Sequence, residues 1–230
     1  MKAALAALLI AAGTPAGAEC RLALALGFDV SRSVSDRDYA IQRDGLLAAL
    51  DAAPIRAALL NQRDHVAVAV YEWSNRRDQT LVVPWTEVRG EADLARLRAA
   101  VAGHDRVNLQ LPTAVGAALI YAHDLFGEAP ACAARTLDIS GDGRNNDWLD
   151  PLRIYAREDF GDILVNGLAV GGHEADIVAY YRTHVIRGPG AFVEVAPRQT
   201  DYPEVIRRKL LRELEGPMIG LLPPRDPTEG

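Results

Sequence analysis

The stretch LALALGFDVSRS, residues 22–33, is an apolar run that ends at Asp29 and passes into oxygen-bearing side chains at alternate positions, Asp29, Ser31 and Ser33. A short run rich in Leu and Ala that stops at a polar loop reads as a strand buried on both faces. Five more runs of this kind follow: Val66 to Trp73, Leu81 to Trp85, Thr136 to Ser140, Ile163 to Val170 and Phe192 to Val195. Helical spacing lies between most of them. The segment Asp36 to Leu50 puts Tyr39, Leu46 and Leu50 on one face, with Ser35 and Asp38 as a start signal. A segment opened by Pro112 carries Val115, Leu119, Ala122 and Phe126 on one stripe and ends at Gly127. Weaker helical patterns run over 92–101, 148–158, 175–183 and 202–215. Strands alternating with helices predict an α/β fold, a doubly wound, mostly parallel six-stranded sheet with helices on both faces. The segment Ser74 to Thr80 is too short for a crossover helix, so the second and third strands form an antiparallel hairpin.

The ends of the chain read differently. Residues 1–18, MKAALAALLIAAGTPAGA, combine one Lys, a short apolar run and an Ala16-Gly17-Ala18 cleavage pattern, the signature of a secretory signal peptide. No later stretch has the ~20 apolar residues that a membrane-spanning helix needs. A soluble periplasmic or secreted domain over 19–215 is therefore expected, followed by a Pro-rich tail over 216–230. Glu19 before Cys20 does not suit a lipoprotein site, which wants a small residue there. An oxidising compartment favours pairing of Cys20 and Cys132, the two cysteines, although both also suit unpaired packing. The formal charge is −6, and removal of Lys2 with the leader takes it to −7. That balance, with 6% aromatic residues, argues against nucleic acid as a partner.

The chemistry concentrates after the strands. Asp29, Ser31 and Ser33 follow the first, Thr113 opens the third helical pattern, and Asp142 follows the fourth strand in Ser140-Gly141-Asp142-Gly143. In an open α/β sheet, ligands bind beyond the carboxyl ends of strands. Two carboxylates and three hydroxyls, with no thiol or imidazole, suit a hard cation such as Mg²⁺, with Mn²⁺ or Ca²⁺ also compatible. Taken singly, each piece has an ordinary structural reading: Asp-x-Ser-x-Ser as a capping turn, Thr113 as a helix cap, Asp142 as a turn residue. For catalysis, the chain lacks Gly-x-Ser-x-Gly, and its five histidines lack the spacing of a zinc protease.

Asp29-x-Ser31-x-Ser33, the distant Thr113 and the Asp142-Gly143 pair resemble the metal-ion-dependent adhesion site of von Willebrand factor type A domains, and the element order resembles that family over most of 21–215. More narrowly, Glu72-Trp73-Ser74, the 140–146 segment and Asn166-Gly167-Leu168 resemble a group of exported bacterial members without assigned activity. The resemblance implies metal ligation by Ser31 and Ser33, by Asp29 directly or through water, and by Thr113 and Asp142 in exchangeable roles. It implies a partner protein whose exposed Asp or Glu completes the coordination. Arg32, Arg144 and Asn145 are candidates for the rim of that site. It also implies neighbouring first and fourth strands, which would place Cys20 and Cys132 together at the end opposite the site and bridge them. Two other readings stand beside the binding module: a metal-dependent hydrolase, and an inert structural domain. Asp138 interrupts the fourth strand. A buried carboxylate there needs a partner, and an arginine is expected ahead of a role beside the metal.

Overall fold

The structure, a computed structural model, describes residues 19–61, 63–106 and 111–215; the expected leader and tail lie outside the described residues. Six strands, β1 (Glu19–Asp29), β2 (Asp64–Trp73), β3 (Gln79–Val88), β4 (Ala134–Gly141), β5 (Leu164–Val170) and β6 (Val193–Ala196), form one sheet in the order β3-β2-β1-β4-β5-β6. Only β2 and β3 pair antiparallel, as the short Ser74 to Thr80 connection requires. β3 is an edge, and Pro84 fits there because an edge strand can do without one ladder donor. The helices are α1 (Asp36–Asp51), α2 (Ala53–Leu59), α3 (Glu91–Ala102), α4 (Val115–Gly127), α5 (Pro151–Tyr155), α6 (Ile177–Tyr180) and α7 (Tyr202–Glu215), with a π-helical turn at Tyr181–Val185 and a 3₁₀ turn at Gln199–Asp201. No helix among the described residues is long and apolar enough to cross a membrane.

Alternation along β1 builds both cores. Leu22, Leu24, Leu26 and Phe28 face α1, α3 and α7, while Ala23 and Ala25 face the layer that holds α4 and α5. The small residues on the second side let Leu119, Phe126, Leu137 and Ile139 pack close to the strand. Ser35 caps α1: its Oγ accepts from Asp38 N at 3.2 Å, and Asp38 Oδ2 accepts from Ser35 N.

Several expectations need correction. Pro112 does not open α4, which begins at Val115 with Ala114 as its uncapped N-cap. The pattern at 148–158 shortens to α5, because Asp150 accepts from Leu152 N and Pro151 takes the first helical position. The pattern at 175–183 resolves into α6 and a single π-helical turn, Tyr181–Val185. The short helix α2 carries Pro at its start but only one turn of apolar spacing, and the sequence pattern did not single it out.

Cys20 and Cys132 form a disulfide with 4.5 Å between Cα atoms, and Ala133 N donates to Cys20 O at 2.9 Å. The bridge ties the amino ends of β1 and β4, the neighbouring parallel strands. Asp138 pairs with a lysine and not an arginine: Lys209 Nζ lies 2.7 Å from Asp138 Oδ1 and 2.5 Å from Glu213 Oε1, all three side chains being buried under α7. Lysine serves because α7 crosses directly over the strand and a single compact ammonium can reach two carboxylates at once. Asn166 Nδ2 donates to the same Glu213 oxygen at 2.9 Å. One cation between two buried acids leaves an excess negative charge. Burial, then the Asp138 charge, push Glu213 up to about 7, against the lowering effect of Lys209 and Asn166.

Three outcomes follow for folding. Because Glu213 binds its proton more tightly folded than unfolded, its contribution is fully present below pH 4.5 and lost as pH rises through 7. Urea titrations of wild type and Glu213→Gln between these pH values should show a smaller fall in the variant than in wild type. Lys209→Met should lose about 3–5 kcal/mol at neutral pH by leaving two buried carboxylates uncompensated, and less at acid pH. Reduction of Cys20–Cys132 removes a cross-link spanning 112 residues, with an upper-limit loss of about 4–5 kcal/mol, read from the same titration with and without reductant.

Candidate metal centre

The five predicted oxygen ligands meet at the carboxyl end of the sheet, where the strand order departs from β1 in both directions. β1 delivers Asp29 as its last residue, paired with Trp73 of β2. The following turn is held by Ser31 N donating to Asp29 Oδ1 at 2.7 Å and by Val30 N donating to Trp73 O at 2.9 Å. β4 delivers Asp142 one residue past its end. Ser33 Oγ donates to Asp142 Oδ1 at 2.6 Å, Thr113 Oγ1 donates to Ser31 Oγ at 3.1 Å, and the two serine hydroxyls lie 3.2 Å apart. Three distant segments thus form one continuous patch of oxygen atoms. Among the described residues, no three His, Cys, Asp or Glu side chains group as metal ligands, so a cation here would depend on the hydroxyls.

The electrostatics of the patch fit a cation. Asp29 is fully buried, and its Oδ2 has no hydrogen-bond partner among the described residues. Burial and then the Asp142 charge push its carboxyl up to about 7, while hydrogen bonds from Ser31 oppose the shift. Burial likewise raises Asp142, opposed by its Ser33 hydrogen bond and the nearby His173. Two neighbouring acidic groups with little access to water, one of them with an oxygen that no hydrogen bond satisfies, favour a strong positive counterpart, which an oxygen-seeking dication supplies. The donor set of two carboxylates and three hydroxyls is of the type that Mg²⁺ takes.

A cleft with about 430 Å³ of empty space opens over Ser33 and Thr113 and is lined also by Arg32, Asn146, His173 and Glu174. Arg32 is exposed at its rim. Arg144 is also exposed, but its charge is engaged by Glu174 at 3.7 Å, and its backbone N donates to the same carboxylate. Asn145 turns inward instead of lining the rim. Its Oδ1 accepts from Gly116 N at 3.0 Å and its Nδ2 donates to Asp147 O, which fixes the loop against the start of α4. Asn146 takes the outward place, and its Oδ1 accepts from Thr113 N at 2.8 Å.

The sequence model of the family described as Protein of unknown function (DUF1194) matches residues 19–218. The chain belongs to this family. No curated protein matches the sequence. Among solved structures, proximal thread matrix protein 1 from the mussel byssus, described with a zinc-occupied MIDAS motif, is similar at 15% identity and a TM-score of 0.60, over 84% of this chain and 46% of that one. A von Willebrand factor type A protein from Catenulispora acidiphila is similar at 16% identity and a TM-score of 0.60, over 85% and 43%. The pilus adhesin SpaC from Lactobacillus rhamnosus GG is similar at 11% identity and a TM-score of 0.58, over 85% and 31%. This DUF1194 chain spans less than half the length of these solved chains. It has the von Willebrand type A fold.

Within this DUF1194 domain, geometry sets aside the capping readings of two of the motif segments. α1 is capped by Ser35 and not by the Asp29 turn, and Thr113 caps nothing, its hydroxyl being directed to Ser31. Sequence reasoning missed four residues. His173 and Glu174 arrive on the loop after β5, for which the Gly171-Gly172 break was the available signal. Arg106 donates to Val30 O at 2.8 Å and Ser31 O at 3.1 Å and lies over the Tyr39 ring, so a cation from outside the motif holds the Asp29–Ser33 turn. Tyr181, in the π-helical turn, is fully buried, and its hydroxyl would stand 2.6 Å from a Cβ on Gly141.

That last contact makes Gly141 the tightest point of the site, since the same Cβ would also stand 2.9 Å from Asp29 Oδ2. A methyl at Gly143 would meet Thr113 Oγ1 at 3.3 Å and little else. Gly141→Ala is therefore expected to lose about 1–3 kcal/mol by overpacking, clearly more than Gly143→Ala, with thermal unfolding as the measurement.

Proposed function

We propose that this domain is a binding module that holds a divalent cation, Mg²⁺ in the first instance, and captures an acidic side chain of a partner protein through it. The observation that carries the proposal is the convergence of Asp29, Ser31, Ser33, Thr113 and Asp142 around a fully buried carboxylate whose second oxygen is without a hydrogen-bond partner. Ser31 and Ser33 would hold the ion through their hydroxyls, and Asp29, Thr113 and Asp142 through their oxygens directly or across water. The bound cation supplies attraction for one more anionic oxygen from outside the chain. Arg106 keeps the ligand turn in place, and Arg32 at the cleft rim steers an approaching acid. The zinc-occupied motif in the mussel protein supports the same kind of site on this fold. The disulfide supports an oxidising compartment, in keeping with export behind the 1–18 leader.

Mg²⁺ should raise the melting temperature of wild type, because a ligand that binds only the folded state stabilises it, and should leave that of Asp29→Ala unchanged. An immobilised glutamate-bearing peptide should retain wild type in Mg²⁺, release it in chelator and never retain Asp29→Ala, with no cleavage of the peptide. Retention that survives chelator overturns the proposal. The exported protein should begin at Glu19, as read by mass spectrometry of its amino terminus.

A further inference from the structure

The loop that carries Asp142 ends on an aromatic side chain that the described residues leave half uncovered. Trp148 is 47% exposed, and Leu152, four residues on, is 49% exposed. Single exposed apolar residues are ordinary. Trp148 is not ordinary, because its backbone is left-handed at φ 62°, a conformation that is unfavourable for a bulky side chain and natural for glycine.

The neighbours enforce that conformation. Asn146 N and Asp147 N both donate to Thr113 O, at 2.8 and 3.2 Å, Asp147 Oδ2 accepts from Arg76 N at 3.0 Å, and Asp150 caps α5 two residues later. Trp148 is therefore fixed between an anchor on the metal-ligand segment and an anchor on a helix. Strain that the surrounding structure maintains, in a side chain that gains little burial in return, marks a place where a contact from outside completes the arrangement.

We propose that Trp148 and Leu152 form an apolar shelf beside the metal centre, which receives a large aliphatic or aromatic side chain of the partner a few residues from the partner's metal-seeking carboxylate. The inference rests on the reading of the Asp29–Asp142 constellation as a cation-dependent carboxylate receptor, and it narrows the partner to an acidic protein segment with an adjoining apolar residue. Two features carry the choice of occupant. Asn146, two residues before Trp148 on the same loop, lines the cleft over Ser33 and Thr113, so the shelf stands on the loop that borders the carboxylate site. Charge is complementary as well: the hairpin tip that bonds Asp147 exposes Arg76 and Arg77, and Arg32 is exposed at the cleft, which favours an acidic segment. A rigid tryptophan with an aliphatic neighbour is the kind of anchor around which interface energy concentrates.

The test uses the full mature chain and three blocked peptides: one with a glutamate and a leucine separated by a glycine, one with the leucine changed to glycine, and one with the glutamate changed to glutamine. Trp73 is fully buried and Trp85 half-buried, so acrylamide quenching of the intrinsic fluorescence reports chiefly on Trp148. In Mg²⁺, the leucine peptide should bind wild type about tenfold more tightly than its glycine counterpart and protect Trp148 from quenching. Trp148→Gly should abolish that preference, keep wild-type affinity for Mg²⁺ and for the glycine peptide, and melt higher than wild type because the backbone strain is relieved. If the glycine peptide binds in a Mg²⁺-dependent way but the leucine adds nothing, or if the preference survives in Trp148→Gly and Leu152→Ser, the shelf is overturned and the metal reading stands. If all three peptides bind equally in chelator and in Asp29→Ala, the metal reading falls and the shelf with it. Concentration-dependent dimerisation of wild type that is lost in Trp148→Gly assigns the shelf to a second copy of this chain and overturns the acidic partner.

Discussion

Two carboxylates of like charge, Asp29 and Asp142, lie near each other at the ends of neighbouring parallel strands with almost no access to water. Such an arrangement opposes folding unless something compensates it, and within the chain the compensation is incomplete. Ser31 and Ser33 each satisfy one oxygen, while Asp29 Oδ2 is left without a hydrogen bond among the described residues. The rest of the upper surface is organised around that deficit. Thr113 gives its hydroxyl to the patch instead of capping α4, Arg106 grips the turn from behind through backbone carbonyls, and Gly141 provides the clearance that Asp29 and Tyr181 require.

The same two strands carry opposite duties at their two ends. At the amino ends, Cys20 and Cys132 are joined covalently; at the carboxyl ends, Asp29 and Asp142 are brought together against their mutual repulsion. Fixing the register at one end sets it at the other, because parallel ladders rise at nearly the same rate per residue. Midway, Asp138 looks toward α7, where Lys209 joins it to Glu213. That buried group locks the last helix onto the sheet. Ser140, between Asp138 and Asp142 along the chain, donates to Gly27 O.

The four residues after Arg144 in the loop behind β4 are held in different ways. Asn145 and Asp147 fasten it to α4 and to the hairpin tip, while Asn146 reaches the cleft and Trp148 stands in solvent in strained backbone. A loop optimised for stability alone would place glycine at that position.

The linear pattern was sufficient for the α/β class, the β2–β3 hairpin and the capping of α1, because each depends on local spacing: apolar runs of strand length, a connection too short for a helix, Ser35 three residues before Asp38. It also named Asp29, Ser31, Ser33, Thr113 and Asp142, but local spacing links only the first three, and the strand order brings Thr113 and Asp142 to them. Within 19–215, what it left open depends on contacts between segments far apart in the chain. The cation opposite Asp138 proved to be Lys209, 71 residues away, chosen by where α7 crosses the sheet. Asn145 and Asn146 are equivalent as letters, and only the packing of the loop on α4 turned one inward and the other toward the cleft. Arg106, Tyr181, His173 and Glu174 belong to no motif and enter the site because the tertiary fold carries their segments to it. Spacing along a chain dictates which elements form and which atoms they present; which of those atoms meet is decided by the layers closing over the sheet.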